Sequence, residues 1–283
     1  MPVLHTTHGA LEYVWIDGRS DLAPLVYLHH GLGCVSTWRR FPYAVAEATG
    51  RPALVYTRHG YGRSAPTELP RPADYMEREA HEVLPEVLDR LGVRAPVLVG
   101  HSDGAAIALL HAARGRRPVT ALALLGPLVF VEDRTLRAIR AVREAYESGA
   151  AAYASGAARA PGADGDAVLL RRKVAMFHED PDAALHGWSD VWLSPTFRGW
   201  SIEDRLARVT APTLVVGGTA DEFATPAQVA AIERGLAGPV RRVDLPHGDH
   251  LLLHSARLES RAALVDFLTG LDAPAGDARG ARP

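Results

Sequence analysis

Pro96-Val97-Leu98-Val99-Gly100-His101-Ser102-Asp103-Gly104-Ala105-Ala106-Ile107-Ala108-Leu109-Leu110 reads as a short buried strand, a very tight turn with a serine at its apex, and an apolar helix. Pro96 and Gly100 bracket Val97 to Val99, which with Ala95 make the apolar run of a core strand. Gly104 opens a segment of Ala, Leu and Ile that favours helix and has no polar interruption before His111. Gly100-His101-Ser102-Asp103-Gly104 therefore fits the G-x-S-x-G pattern in a strand-turn-helix context. The glycines answer a steric demand. The serine backbone is strained at such a turn, and larger flanking side chains would collide with the strand and the helix.

The rest of the chain gives this turn its setting. A length of 283 residues is enough for one large α/β domain or a domain with an insertion. Hydrophobic content of 47% and charged content of 23% are those of an ordinary soluble protein. A net charge of −2 supplies no electrostatic reason for nucleic acid or an anionic membrane as partner. No apolar run approaches the roughly 20 residues that span a bilayer. Met1-Pro2-Val3-Leu4-His5-Thr6-Thr7 lacks the basic and apolar regions of a signal peptide, so a cytosolic protein is expected. The lone Cys34 makes no internal disulfide and no cysteine zinc site. Lys173 is the one lysine among 31 basic residues, a bias with no folding rationale that fits GC-rich coding.

Upstream of the turn, Glu12–Gly18 reads as an early hairpin strand, and Leu25–His29 as a second strand running into His30-Gly31-Leu32-Gly33. A helix over Ser36–Ala48 is expected, capped by Ser36 and stopped by Gly50. Ala53–Thr57 is a third strand, entering Arg58-His59-Gly60-Tyr61-Gly62-Arg63-Ser64. Asp74 caps a helix reaching Leu91, kinked or divided at Pro85. Downstream, Val119–Leu125 is a strand stopped by Gly126-Pro127. Strands alternating with helices predict a mostly parallel sheet covered on both faces.

From Leu128 to Arg208 the alternation stops and the pattern is helical. Glu132–Ser148 is amphipathic, with Leu136, Ile139, Val142 and Tyr146 along one stripe, and Ala150–Asp166 reads as loose. Asp182–Trp200 carries Trp188, Trp192, Phe197 and Trp200. Sheet pattern returns in Thr213–Gly218 and Val240–Leu245, and a last helix covers Ala256–Leu268. The expected organisation is an α/β core over residues 1–127 and 209–270, an inserted helical cap over 128–208, and a disordered tail over 271–283.

A serine hydroxyl needs an adjacent general base, and the base needs an orienting acid. Asp221 follows the Thr213–Gly218 strand and His250 follows the Val240–Leu245 strand. His247, three residues from His250, is a rival base. Glu222 is the understudy for Asp221, Asp133 is a more distant alternative, and His254 reads as a helix-start residue.

With these pieces in order, the chain resembles the α/β-hydrolase superfamily with a helical lid, from Leu25 to Leu268. The resemblance rests on His30-Gly31-Leu32-Gly33, Gly60-Tyr61-Gly62-Arg63-Ser64, the Ser102 turn, and the Asp221 and His250 segments. It implies an α/β-hydrolase fold, with Ser102 as nucleophile, His250 as base and then acid, and Asp221 as the residue orienting the imidazole. It also implies oxyanion donors on the backbone of Leu32 and Asp103. Gly31 and Gly33 permit the close approach there. Thr57 and His59 depart from the Asp and Arg that many family members carry at those positions. The Asp103 side chain reads as an acid in a helix first turn, with a carboxylate facing the pocket as the sharper alternative. Cys34 reads as a small apolar filler rather than a second nucleophile.

The expected activity is acyl transfer through a Ser102 ester, with hydrolysis of a small ester or thioester as the leading reading. The alternative is an acyltransferase that moves an aromatic acyl group from a carrier-protein thioester to a peptide or small acceptor. That would make an acyl-carrier protein a partner. Trp188, Trp192 and Phe223 are candidate pocket residues, and packing of the cap explains the tryptophans equally well. No metal or organic cofactor is implied. A ligand receptor with an eroded site, and His250-based chemistry without acylation, are the readings from other classes.

Overall fold

The computed structural model describes residues 1–154 and 166–272. The strands are β1 (Val3–Thr6), β2 (Gly9–Ile16), β3 (Leu25–Leu28), β4 (Ala53–Tyr56), β5 (Val97–His101), β6 (Ala121–Leu125), β7 (Thr213–Gly218) and β8 (Val240–Leu245). They form one sheet in the order β1-β2-β4-β3-β5-β6-β7-β8, parallel from β4 to β8 with an antiparallel hairpin, β1-β2, at one edge. The expected mostly parallel sheet is present, and β1 is an addition to it. Val3–Thr6 is too short and too polar to announce itself as a strand, and its register is set by the two-residue turn Thr7-His8, across which Thr6 pairs with Gly9.

The apolar runs of the central strands supply both faces. Val26, Leu28, Leu54, Leu98, Leu122, Leu124 and Val215 face one core. Leu25, Tyr27, Val55, Val97, Val99, Ala123, Leu214 and Val216 face the other. Successive side chains point to opposite sides, so a strand buried on both faces must be apolar throughout. Burying each such Val or Leu fully is worth about 1.5–3 kcal/mol. The β8 edge instead exposes Arg241, Arg242 and Asp244, charges that discourage pairing with another chain.

The helices before β6 are α1 (Phe41–Thr49), α2 (Tyr75–Arg78), α3 (Leu84–Arg90) and α4 (Asp103–Arg114). The single helix expected over Ser36–Ala48 is two pieces. A 3-10 turn, Val35–Trp38, ends at Arg39 with φ 52°, and α1 starts afresh with Pro42 in its first turn. Pro42 has no N–H to continue a helix from Ser36, so the chain restarts where a proline is tolerated. Gly50 stops α1 in the left-handed conformation, as expected. Pro85 does not break its helix: the backbone stays right-handed helical from α2 through a π turn over Glu79–Val83 into α3. Asp74 stands at the start without a capping bond and instead accepts from Arg78.

Between β6 and β7 come α5 (Asp133–Ala154), α6 (Asp166–Phe177), α7 (Pro181–Leu193) and α8 (Glu203–Leu206). Leu136, Ile139 and Tyr146 of the α5 stripe are buried and Val142 is half-buried. Tyr146, Val174 and Leu185 form a small core with Leu32, which places these helices on the loop after β3. The segment read as loose falls mainly in 155–165, outside the described residues. α9 (Pro226–Gly235), α10 (Leu252–Ser255) and α11 (Arg257–Asp272) complete the fold. α11 runs past the expected Leu268, and the tail from 273 lies outside the described residues. Among the described residues no helix is long and apolar enough to cross a membrane, and no His, Cys, Asp and Glu cluster is arranged to hold a metal.

Candidate active site

Ser102 sits between β5 and α4 with φ 53° and ψ −118°, a backbone conformation that L-residues avoid. Its neighbours show why the turn needs glycine. A Cβ on Gly100 would lie 2.3 Å from the Gly104 carbonyl oxygen, and one on Gly104 would lie 2.0 Å from the Leu28 carbonyl oxygen. The tight turn carries the serine at the C-terminal ends of β3, β5 and β6.

Two loops at that same end bring the other groups. His250 follows β8, and its Nε2 is 2.9 Å from Ser102 Oγ. Asp221 follows β7, and its Oδ2 accepts from His250 Nδ1–H at 2.9 Å. With Nδ1 donating, Nε2 is left free to accept from the serine hydroxyl. All three side chains are buried. The second Asp221 oxygen, Oδ1, accepts from the N–H groups of Phe223 and Ala224 at 2.8 and 2.9 Å. Burial pushes the Asp221 carboxyl upward, but His250 and those two N–H groups outweigh it and hold Asp221 below the usual carboxylate range.

His101 fixes the other side of the imidazole segment. Its Nε2–H donates to the His250 carbonyl at 2.8 Å. Burial, with His250 nearby, pushes His101 down to about 3, so it stays a neutral donor.

The loop after β3 passes beside the serine. The Leu32 N–H meets His30 Nδ1 at 3.3 Å, a long contact for a hydrogen bond. The Asp103 N–H is the first of α4 and has no intrahelical acceptor. Two side chains hold this loop from behind. Arg58 Nη2 donates to the His29 and His30 carbonyls at 3.1 and 3.0 Å, and His178 Nε2–H donates to the Leu32 carbonyl at 3.1 Å. His178 Nδ1 in turn accepts from the Gly62 N–H at 2.9 Å.

The Asp103 carboxylate is buried, and neither sequence-based description of it is complete. Its Oδ2 accepts from Tyr75 Oη at 2.7 Å and lies 4.0 Å from Arg58. Tyr75 Oη accepts from Trp192 Nε1 at 3.0 Å, so the cluster reaches α7. Burial pulls the Arg58 guanidinium downward, but Tyr61, Asp103, Glu79 and Tyr75 around it outweigh that and keep it charged.

The aromatic side chains divide. A Cβ on Gly31 would lie 2.2 Å from Trp188 Nε1, so this indole roofs the loop beside the serine. Phe223 stacks on His250 with ring centroids 4.6 Å apart and faces Trp188 at 6.4 Å. Trp192 belongs to a second group with Phe197 and Trp200, which joins α7 to the segment after it.

A model of the alpha/beta hydrolase family matches residues 26–267. The chain belongs to the alpha/beta hydrolase family. Relatives of this family member include epoxide hydrolase A of Mycobacterium tuberculosis, 28% identical across 88% of this chain and 92% of that protein. A putative carbamate hydrolase, RutD, of Klebsiella pneumoniae is 28% identical across 81% of this chain and 85% of its own length. The solved structure of VinJ superposes with a TM-score of 0.73 at 22% identity, covering 95% of this chain and 98% of that one. Hydrolysis is common to the names of the two curated relatives, which supports hydrolase activity here.

The rivals lie elsewhere in this hydrolase-family site. His247 is exposed in a left-handed turn, and its N–H donates to Thr219 Oγ1. Glu222 accepts from the His250 N–H at 3.1 Å and so holds the backbone of His250. Asp133 pairs with Arg198 at the surface, and His254 is exposed at the end of α10. Burial pushes the Cys34 thiol up to about 11, consistent with an inert filler.

The departures from the family pattern have compensations. Thr57 Oγ1 donates to Glu12 Oε1 at 2.8 Å and accepts from the Val35 N–H at 2.9 Å, so a carboxylate from β2 serves the loop. His59 is buried, while Arg58 beside it turns inward to the loop after β3. Arg58, Tyr75, His101, His178 and Glu12 are the residues that sequence reasoning missed. His101 lies inside the quoted turn and was the one open to inspection; the others meet the site from scattered loops.

Proposed function

We propose that the chain is a hydrolase that works through a Ser102 acyl-enzyme on a small ester or thioester. The observation that carries this reading is the continuous relay from Asp221 through His250 to Ser102, with both hydrogen bonds at 2.9 Å. Ser102 Oγ attacks the carbonyl carbon as His250 Nε2 takes its proton. The imidazolium is stabilised by Asp221 and then protonates the leaving group. In the second half, water gives its proton to His250 and attacks the acyl carbon, and Ser102 recovers its own proton.

The developing oxyanion is received by the N–H groups of Leu32 and Asp103. Such donors lower the barrier by about 3–4 kcal/mol each because they are fixed before charge appears. His30 Nδ1 occupies the Leu32 donor with a weak 3.3 Å bond, which an oxyanion replaces. Burial, followed by His101 and His250, holds the His30 pKa well below its ordinary value, so it remains a neutral acceptor. Trp188 and Phe223 form the walls nearest the reacting atoms.

One observation favours transfer to an acceptor other than water: Trp188 packs on Gly31 of the loop after β3, and cover over that loop limits water's approach. Intact-protein mass spectrometry with a panel of oxygen esters and acyl thioesters tests both readings. A transient acyl adduct on the native protein, absent in Ser102→Ala, is expected. An adduct that decays in buffer supports the hydrolase, and one that waits for an added amine or thiol supports the transferase. Persistent failure to acylate across the panel would overturn both.

A further inference from the structure

A cavity of about 470 Å³ lies between α5 and the loop carrying Asp221, lined by Arg134, Arg137, Ala138, Val142, Glu222 and Phe223 among others. It is an open groove rather than an enclosed pocket. Three observations connect it to the reacting groups. Phe223, which forms part of its wall, stacks on His250 at 4.6 Å, so the cavity is one ring away from the imidazole. Glu222, also in the wall, accepts from the His250 N–H. Arg134 donates to the Asp221 carbonyl at 2.7 Å.

The charge in this cavity is unbalanced. Arg134 and Arg137 stand one turn apart on the same face of α5, against the single carboxylate of Glu222. Arg137 is exposed and has no hydrogen-bond or ion-pair partner among the described residues, unlike Arg143 on the same helix, which pairs with Glu147 and Asp190. The remaining wall is Ala138, Ala141, Val142 and the Phe223 ring. An apolar body with an anionic end matches these walls: the body lies along the alanines and Phe223, and the anion meets the planar guanidinium of Arg137.

We propose that this cavity is the substrate-recognition site, selecting acyl substrates that carry a carboxylate or phosphate, with Arg137 as the specificity-determining residue. The proposal rests on the Ser102 acyl-enzyme reading. Phe223 is packed against His250 and Trp188, and its ring is the part of the wall that separates the cavity from the imidazole.

The test compares charged and neutral members of two pairs: mono-p-nitrophenyl glutarate with p-nitrophenyl butyrate, and S-acetyl-phosphopantetheine with S-acetyl-pantetheine. The native protein is expected to favour the charged member of one pair about fivefold to tenfold in kcat/KM, through KM and less so at high salt. Arg137→Gln removes that preference and Arg137→Glu reverses it, each read as the charged-to-neutral ratio within the variant. The first pair reports an anion on the acyl chain and the second an anion on the leaving group. Equal charged-to-neutral ratios in all three proteins would overturn the proposal. Failure of p-nitrophenyl butyrate to acylate Ser102 would instead count against the acyl-enzyme reading. In that event calorimetric binding of glutarate to Ser102→Ala and to Ser102→Ala/Arg137→Gln decides the cavity's role. A severalfold weaker affinity in the double variant supports it, and equal affinity or no binding overturns it.

Discussion

The guanidinium of Arg58 and the carboxylate of Asp103 approach to 4.0 Å beneath the serine turn, both buried. Arg58 also carries the carbonyls of His29 and His30, so one side chain joins the loop after β3 to the start of α4. These are the two segments whose N–H groups face a developing oxyanion in the proposed mechanism. Removing one partner of a buried ion pair leaves the other charge without compensation. Arg58→Met is therefore expected to lose about 3–5 kcal/mol of stability in urea denaturation. Arg58→Lys should recover part of the stability but less of kcat, because one ammonium cannot serve the two carbonyls as Nη2 does and also replace the Nε–H directed at His29 Nε2. Equal stability of the native protein and Arg58→Met would show that the pair contributes nothing.

Asp221→Asn keeps the size of the side chain but not its capacity to fix the imidazole tautomer. With an amide donor facing Nδ1, the proton moves to Nε2, and His250 no longer accepts from Ser102. A fall in kcat of about 10³–10⁴ is expected, with the melting temperature changed by only a few degrees. Retention of a tenth or more of kcat would point to Glu222 as the working acid.

Ser102 at φ 53° stores backbone strain of about 1–3 kcal/mol. Glycine relieves that strain, at an entropic cost of roughly 0.5–1 kcal/mol. Ser102→Gly is expected to be inactive toward esters but more stable than Ser102→Ala by about 1 kcal/mol. Chemical denaturation of the two variants side by side measures the difference. A less stable glycine variant would mean that the turn is not strained.

Burial lowers the pKa of His29, His30, His101, His111 and His178. Each is neutral when folded and takes up a proton on unfolding once the pH is below its ordinary value of about 6.5. The unfolded chain then binds more protons, so stability is full above about pH 6.5 and falls as the pH drops below it. For His101 the loss continues down to about pH 3. Urea midpoints measured from pH 8 to pH 4.5 are expected to be level above pH 7 and to decline from about pH 6.5, before the carboxylates begin to titrate. Midpoints that stay constant down to pH 5 would contradict this.

Cys34 is buried, and its thiol is pushed up to about 11. A thiol-specific chromogenic reagent at pH 8 should modify the native protein very slowly and the denatured protein stoichiometrically. Rapid labelling of the native protein would require opening of the loop after β3.

Local steric and hydrophobic demands fixed what could be read along the chain. A buried parallel strand must be apolar on both faces, so β3 to β7 announced themselves, whereas the half-exposed β1 did not. The serine turn needs glycine on each side for reasons contained within five residues, and the order of Ser102, Asp221 and His250 follows the strands that carry them. Proline restricts its own helix, yet where the chain breaks around it depends on what the flanking pieces bury. For that reason the chain restarts before Pro42, whereas it runs through Pro85 with only a π turn ahead of it.

The choice among rival groups belonged to the tertiary structure. His250 and His247 are three residues apart, and only the path of the loop after β8 decides that one imidazole meets Ser102 while the other faces solvent. Arg58, Tyr75 and His178 carry no spacing signal, because each reaches the site from a separate loop or helix. The partner each one finds is set by which loops the sheet order brings together. Sequence by itself determined the central parallel strands, the serine turn and the order of the groups expected around it. Three-dimensional packing alone determined which charges are buried together, which tryptophan packs on Gly31, and which arginine is left facing an open cavity. Burial and pairing are properties of neighbours in space, and at this site those neighbours are up to about 150 residues apart along the polymer.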